Sequence, residues 1–138
     1  MYPFISIIVS IFRNHIEIAK ILKQVIEVID PNVICAMQDD IMTILHEKIG
    51  VAKSKNEFMD TILTLVLNLE EKLNVHAQIY GFLSKYLKHE DWSCRKTCVD
   101  IGNALLIINH EISESIHKLI KELKYDKIKH VRESVNNY

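Results

Sequence analysis

The chain has 138 residues, enough for one compact domain or one stretch of an elongated array, and 49% of them are hydrophobic against 25% charged. That balance supplies a packed core and excludes global disorder, while three Gly and two Pro are too few for the turns of an all-β fold. A formal net charge of −1 and a pI near 6.6 leave no global basic field, so nucleic acid is not an expected partner. The charge is unevenly spread: residues 1–83 carry seven basic and ten acidic side chains, and residues 84–138 carry ten basic and eight acidic, with four of the seven His.

Taken in order, the chain reads as eight amphipathic helices. Pro3 suits a first helical turn, with Phe4, Ile7, Ile8 and Ile11 on one face. This opening run is too short to span a bilayer and lacks the basic flank of a signal peptide, so no membrane partner is expected. Its apolar face instead offers a homodimer contact. Asn14 and Glu17 have capping-box spacing ahead of a stripe of Ile18, Ile21, Leu22, Val25, Ile26 and Ile29, which Asp30-Pro31 stops. A third helix is expected from Asn32 to Ile49 through Ile34, Met37, Ile41, Ile44 and Leu45, with Gly50 at C′. Ser54 and Glu57 form a second capping box before a fourth helix that uses Phe58, Ile62, Leu65, Val66, Leu69 and Leu73, closed by Asn74.

The fifth helix spans Val75 to Leu87 with Ile79, Phe82, Leu83 and Tyr86 inside. Asp91 caps a sixth, running to Ile108 through Cys94, Cys98, Ile101 and Leu105. After a break at Asn109-His110-Glu111, the seventh runs from Ser113 to Leu123 on Ile116, Leu119 and Ile120. Asp126 begins the last turn, and Ile128, Val131 and Val135 open the eighth. Short polar links join these segments, and none is long or rich enough in Gly, Ser or Pro to mark a domain boundary. Four antiparallel hairpins follow. The fold expected is all-α, an α-solenoid over residues 1–138 as a single domain, or the end of a longer array. A closed bundle also satisfies the stripes.

What favours the solenoid is an internal echo. Placing Cys94-Arg95 on Val131-Arg132 gives a period of about 37 residues, in the range of helical-hairpin repeats. The spacing Asp126…Val131-Arg132 resembles the signature of HEAT (armadillo-type) repeats, in which an acidic residue follows the first helix and a Val-Arg pair begins the second. The fuller strings are Asp91-Trp92-Ser93-Cys94-Arg95-Lys96 and Tyr125-Asp126-Lys127-Ile128-Lys129-His130-Val131-Arg132-Glu133-Ser134-Val135-Asn136. They resemble the last repeats of the TOG-like domain of the plant TORTIFOLIA/SPIRAL microtubule-associated proteins. The likeness covers about Leu83 to Asn136; residues 1–80 fit helical repeats by periodicity alone.

The resemblance implies a non-catalytic module, cytoplasmic and cytoskeletal, whose intra-hairpin turns line up to grip tubulin or the microtubule. Carried over by position, it marks Lys53 and Lys55 in the second hairpin turn, Lys88, His89, Trp92 and Lys96 in the third, and Lys124, Lys127, Lys129 and His130 in the fourth. Lysine suits an acidic surface, and an exposed Trp on a turn makes an interface anchor. The alternative partner is another protein, a peptide or helix held in the solenoid's groove. Each residue also has a structural reading. Trp92 can fold inward to staple two hairpins, and Arg95 and Arg132 can pair with Asp91, Asp100 or Asp126. The lysines can simply solvate helix ends.

No catalytic pattern accompanies these. The His residues fall in no HExxH spacing, and no phosphate-binding Gly loop or nucleophile elbow occurs. Cys35, Cys94 and Cys98 include no CxxC, and Cys94 and Cys98 share a helix face where small buried thiols are common. The expectation is no enzyme, no cofactor and no metal.

Overall fold

A computed structural model describes residues 18–52, 54–108 and 113–135. The expected opening helix, the Asn14 cap with Glu17, Lys53 and the break at Asn109-His110-Glu111 lie outside the described residues. The described residues are helical with no strand, and they fall into two compact units, Met1–Val75 and His76–Tyr138.

In the first unit, α1 (Ile18–Val28) buries Ile18, Ala19, Leu22 and Ile26, one stripe at helical spacing. It packs most extensively on α3 (Lys55–Leu69), and α2 (Pro31–Ile49) packs against both. The shared core comprises Ile34, Met37, Ile41 and Leu45 of α2 and Phe58, Met59, Ile62, Leu65 and Val66 of α3. Each such side chain contributes about 1.5–3 kcal/mol on burial. Two polar links fix the α1–α3 register. The Thr61 hydroxyl lies 2.8 Å from the Ala19 carbonyl oxygen, and Lys23 Nζ meets Asp60 Oδ2 at 2.6 Å.

Helix boundaries follow local chemistry, with several departures from expectation. Asp30 both ends the preceding segment and caps α2, accepting from Asn32 N at 2.8 Å, with Pro31 in the first turn; the helix therefore starts at Pro31, one residue earlier than expected. Gly50 sits at φ −61°, in the right-handed region, so its freedom is unused. Lys55 braces this end instead: its Nζ donates to Ile49 O (2.7 Å), the last carbonyl of α2, and to Gly50 O (3.2 Å) and Ala52 O (2.9 Å) just beyond it. The Ser54 capping box does not close, because the Ser54 side chain makes no cap hydrogen bond.

The fourth expected helix stops at Leu69 rather than near Leu73. Glu70 turns the chain at φ 50°, and a 3-10 turn (Glu70–Lys72) follows. Such a sparsely populated backbone conformation costs about 1–3 kcal/mol, and Gln38 holds the turn in place. Its buried amide accepts from Asn74 N at 2.7 Å and donates to Lys72 O at 3.2 Å and Cys35 O at 3.0 Å.

In the second unit, α5 (Trp92–Ile108) is the central element, packed by α4 (His76–Tyr86), α6 (Ser113–Lys121) and α7 (Lys129–Val135); α4 also packs on α6. With neighbours on several sides, α5 buries more than the single stripe that periodicity predicts: Arg95, Val99, Gly102, Asn103 and Leu106 join Cys94, Cys98, Ile101 and Leu105, while Ile108 is half-buried. Gly102 permits the close α5–α6 approach, since a Cβ there would overlap Ile120 Cδ1 and lie 3.3 Å from Ile116 Cγ2. Asn103 Nδ2 ties α5 to α7 through Ser134 O at 2.8 Å. The seventh expected helix ends at Lys121 and continues as a 3-10 turn (Glu122–Tyr125).

Candidate functional site

Two turns of the second unit, between α4 and α5 and between α6 and α7, are fastened together by one arginine. Arg95 projects from the first turn of α5, and its Nη1 donates to His89 O at 2.8 Å and Glu90 O at 3.0 Å, closing the first turn. Its Nε and Nη2 reach Asp126 Oδ2 at 2.8 Å and Oδ1 at 3.1 Å, a bidentate pair with the second turn. Both side chains are almost fully buried, at 8% and 6% exposure. Asp126 Oδ1 also accepts from Ile128 N at 2.9 Å, and the Asp126 carbonyl accepts from Arg132 Nη1 at 2.7 Å. Of the three acidic partners open to Arg95 from sequence, the structure selects Asp126, and Arg132 braces the same residue through its backbone.

This arrangement sets the charge state of the site. The Arg95 guanidinium hydrogen-bonded to Asp126 holds its carboxyl below the ordinary value, against the opposing effect of burial; Ile128 N–H and the Lys127 charge act in the same direction as Arg95.

Asp91 shapes the first turn from the other side. Its Oδ1 accepts from Ser93 N at 3.0 Å and Ser93 Oγ at 2.8 Å, which is the expected cap of α5, and its own N–H donates to His89 Nδ1 at 3.1 Å. Trp92, the first residue of α5, is 40% exposed and stacks on His130 of the other turn, with ring centroids 5.4 Å apart and planes at 27°. One face of Trp92 thus joins the hairpins, as its structural reading expects, and the rest meets solvent. The His130 contact was not legible in sequence, because nothing in the spacing marks two rings 38 residues apart as neighbours.

Around this pair the lysines differ in what they do. Lys96 pairs with Asp100 at 2.9 Å along the helix. Lys88 and Lys129 are 78% and 76% exposed, with long contacts to Glu122 (3.8 Å) and Glu133 (3.7 Å). Such pairs are worth about 0–1 kcal/mol, so both ammonium groups remain available to a partner. Lys127 is exposed, and Lys124 lies over the Tyr125 ring at 5.5 Å. The structure therefore brings Lys88, Trp92, Lys96, Lys127, Lys129 and His130 together on two joined turns of one unit. Lys55 lies in the first unit with its ammonium on three backbone carbonyls.

Other chemistry is sparse. The Cys94 thiol beside it, together with burial, pushes the Cys98 thiol well above its usual range, which keeps it neutral. Among the described residues no three His, Cys, Asp or Glu side chains gather to hold a metal ion, and no helix is long and apolar enough to cross a membrane. Comparison with known protein families, with curated proteins and with solved structures finds no match for the chain.

Proposed function

We propose that the chain is a non-catalytic HEAT-repeat module that binds tubulin or microtubules, on the cytoskeleton, through its intra-hairpin turns. The observation that carries the reading is the Arg95–Asp126 clamp, which fixes to each other two successive turns whose residues include the half-exposed Trp92 and the lysines Lys88, Lys96, Lys127 and Lys129. An aromatic anchor on turns that also carry flexible cations suits an acidic protein surface, where charge speeds encounter and the ring supplies buried area. Within each unit, helices also stack on their next-but-one neighbours, α1 on α3, α4 on α6 and α5 on α7, as the hairpins of a solenoid do.

The test is cosedimentation with microtubules and size exclusion with tubulin at low salt. A Trp92→Ala, Lys96→Ala, Lys129→Ala variant that keeps its helical circular dichroism is expected to lose at least tenfold in affinity. Absence of wild-type binding to both forms of tubulin sinks this reading. It would leave the second one, a scaffold holding a peptide or helix of another protein. That reading is favoured by Lys55, whose ammonium is spent on capping α2 rather than lining a continuous basic edge.

A further inference from the structure

A second surface of the C-terminal unit runs along α6 and meets the α6–α7 turn at Lys124. Along α6 and the 3-10 turn after it, Glu114, His117, Lys118, Lys121 and Lys124 border an open groove of about 630 Å³, with Ile120 and Val135 in its lining. Lys118, Lys121 and Lys124 recur every three residues and are all exposed. The helical rise places successive members about 4.5–6 Å apart along the axis. Neither Lys118 nor Lys121 has an acidic partner among the described residues. Helix ends commonly collect cations that answer the carbonyl dipole, yet that accounts only for Lys118 and Lys121 in the last turn of α6, not for Lys124 beyond it.

We infer that this groove binds an extended acidic peptide segment of a partner protein. In an extended chain, alternate side chains point the same way about 6.6 Å apart, a spacing that flexible lysines can follow. Carboxylates on one side of the segment meet the Lys row, and the aliphatic stems of the lysines flank the segment above the buried Ile120 and Val135. Glu114 at the start of α6 repels acidic residues there, so the acidic end of the segment lies toward Lys124. Nucleic acid fits less well, because the groove lining carries no Phe, Tyr or Trp on which bases could stack. This inference does not depend on the tubulin reading.

The test uses the full chain and a fluorescein-labelled octapeptide of alternating glutamate and valine, read by fluorescence anisotropy. Saturable binding is expected, with at least tenfold loss in Lys118→Glu/Lys121→Glu and less than twofold change in Lys127→Glu/Lys129→Glu. The same peptide with glutamine for glutamate is expected not to bind. The Lys118→Glu/Lys121→Glu variant should keep whatever microtubule cosedimentation the wild type shows. The inference is overturned by absent or unsaturable binding, by equal loss in both charge-reversal pairs, or by tighter binding of a single-stranded oligonucleotide. Concentration-dependent self-association abolished by Lys118→Glu/Lys121→Glu would also overturn it, giving the groove to a second copy.

Discussion

Arg95 and Asp126 carry the largest single-residue consequence in the molecule. Removing one member of a buried ion pair leaves the other uncompensated, at a cost of about 3–5 kcal/mol. Arg95→Ala should therefore lower the chemical-denaturation midpoint far more than Lys96→Ala, whose exposed pair is worth under about 1 kcal/mol. The pH dependence has a defined sign. The folded carboxyl of Asp126 titrates below its ordinary value of 3.8, so its contribution is complete above that value and is lost as pH falls through the folded one. In Asp126→Asn, denaturation midpoints measured between pH 5 and pH 2 should fall less steeply than in the wild type. Equal slopes would mean that Asp126 is not the acid-sensitive group. The sequence made Arg95 legible as structural, since a Val-Arg-like pair opening a helix recurs at a fixed period. Its partner was not legible, because Asp91, Asp100 and Asp126 all lie within reach of a turn; only the folded turns distinguish them.

At the scale of the element, two glycines within helices make opposite predictions. Gly81 in α4 is exposed, and a Cβ there meets nothing within 4 Å. Gly81→Ala should stabilise by about 0.5–1 kcal/mol, the helix-propensity difference. Gly102→Ala gains the same propensity but forces Ile120 off its position in the α5–α6 contact, where overpacking costs about 1–3 kcal/mol. Thermal melts of the two variants should move in opposite directions; a raised Tm for Gly102→Ala would show that Ile120 repacks freely. Helix positions were largely legible, because stripes such as Ile18, Leu22 and Ile26 are periodic, Asp30-Pro31 is a strong stop signal and Asp91 a strong start signal. Ends were less so. The left-handed Glu70 breaks the usual residue preference, Gln38 reaches its turn from a distant helix, and Lys55 takes a capping task that Gly50 was better placed to perform in sequence. Of the three, the Gln38 contact is a tertiary solution to a local problem.

On the scale of the whole molecule, compactness divides at Val75–His76, where sequence shows only another short link between helices. Composition and spacing could foretell helical hairpins but not this division, which depends on which apolar faces find each other after folding. The candidate surface was legible by residue type, as a Trp and several Lys in recurring turns. That Trp92 is held by His130, and that Arg95 locks the two turns, belong to the folded chain.

The clamp also bears on how this unit comes into being. Arg95 and Asp126 are separated by 31 residues, so the guanidinium lacks its bidentate partner until the second hairpin has been added. A peptide of residues 76–108 would hold Arg95 without Asp126, with the side of α5 that faces Ile116 and Ile120 bare. It should show little helicity by circular dichroism, whereas residues 76–138 should melt in one cooperative step. The smallest autonomous folding unit is then a pair of hairpins, and the turn surface exists only as the product of both.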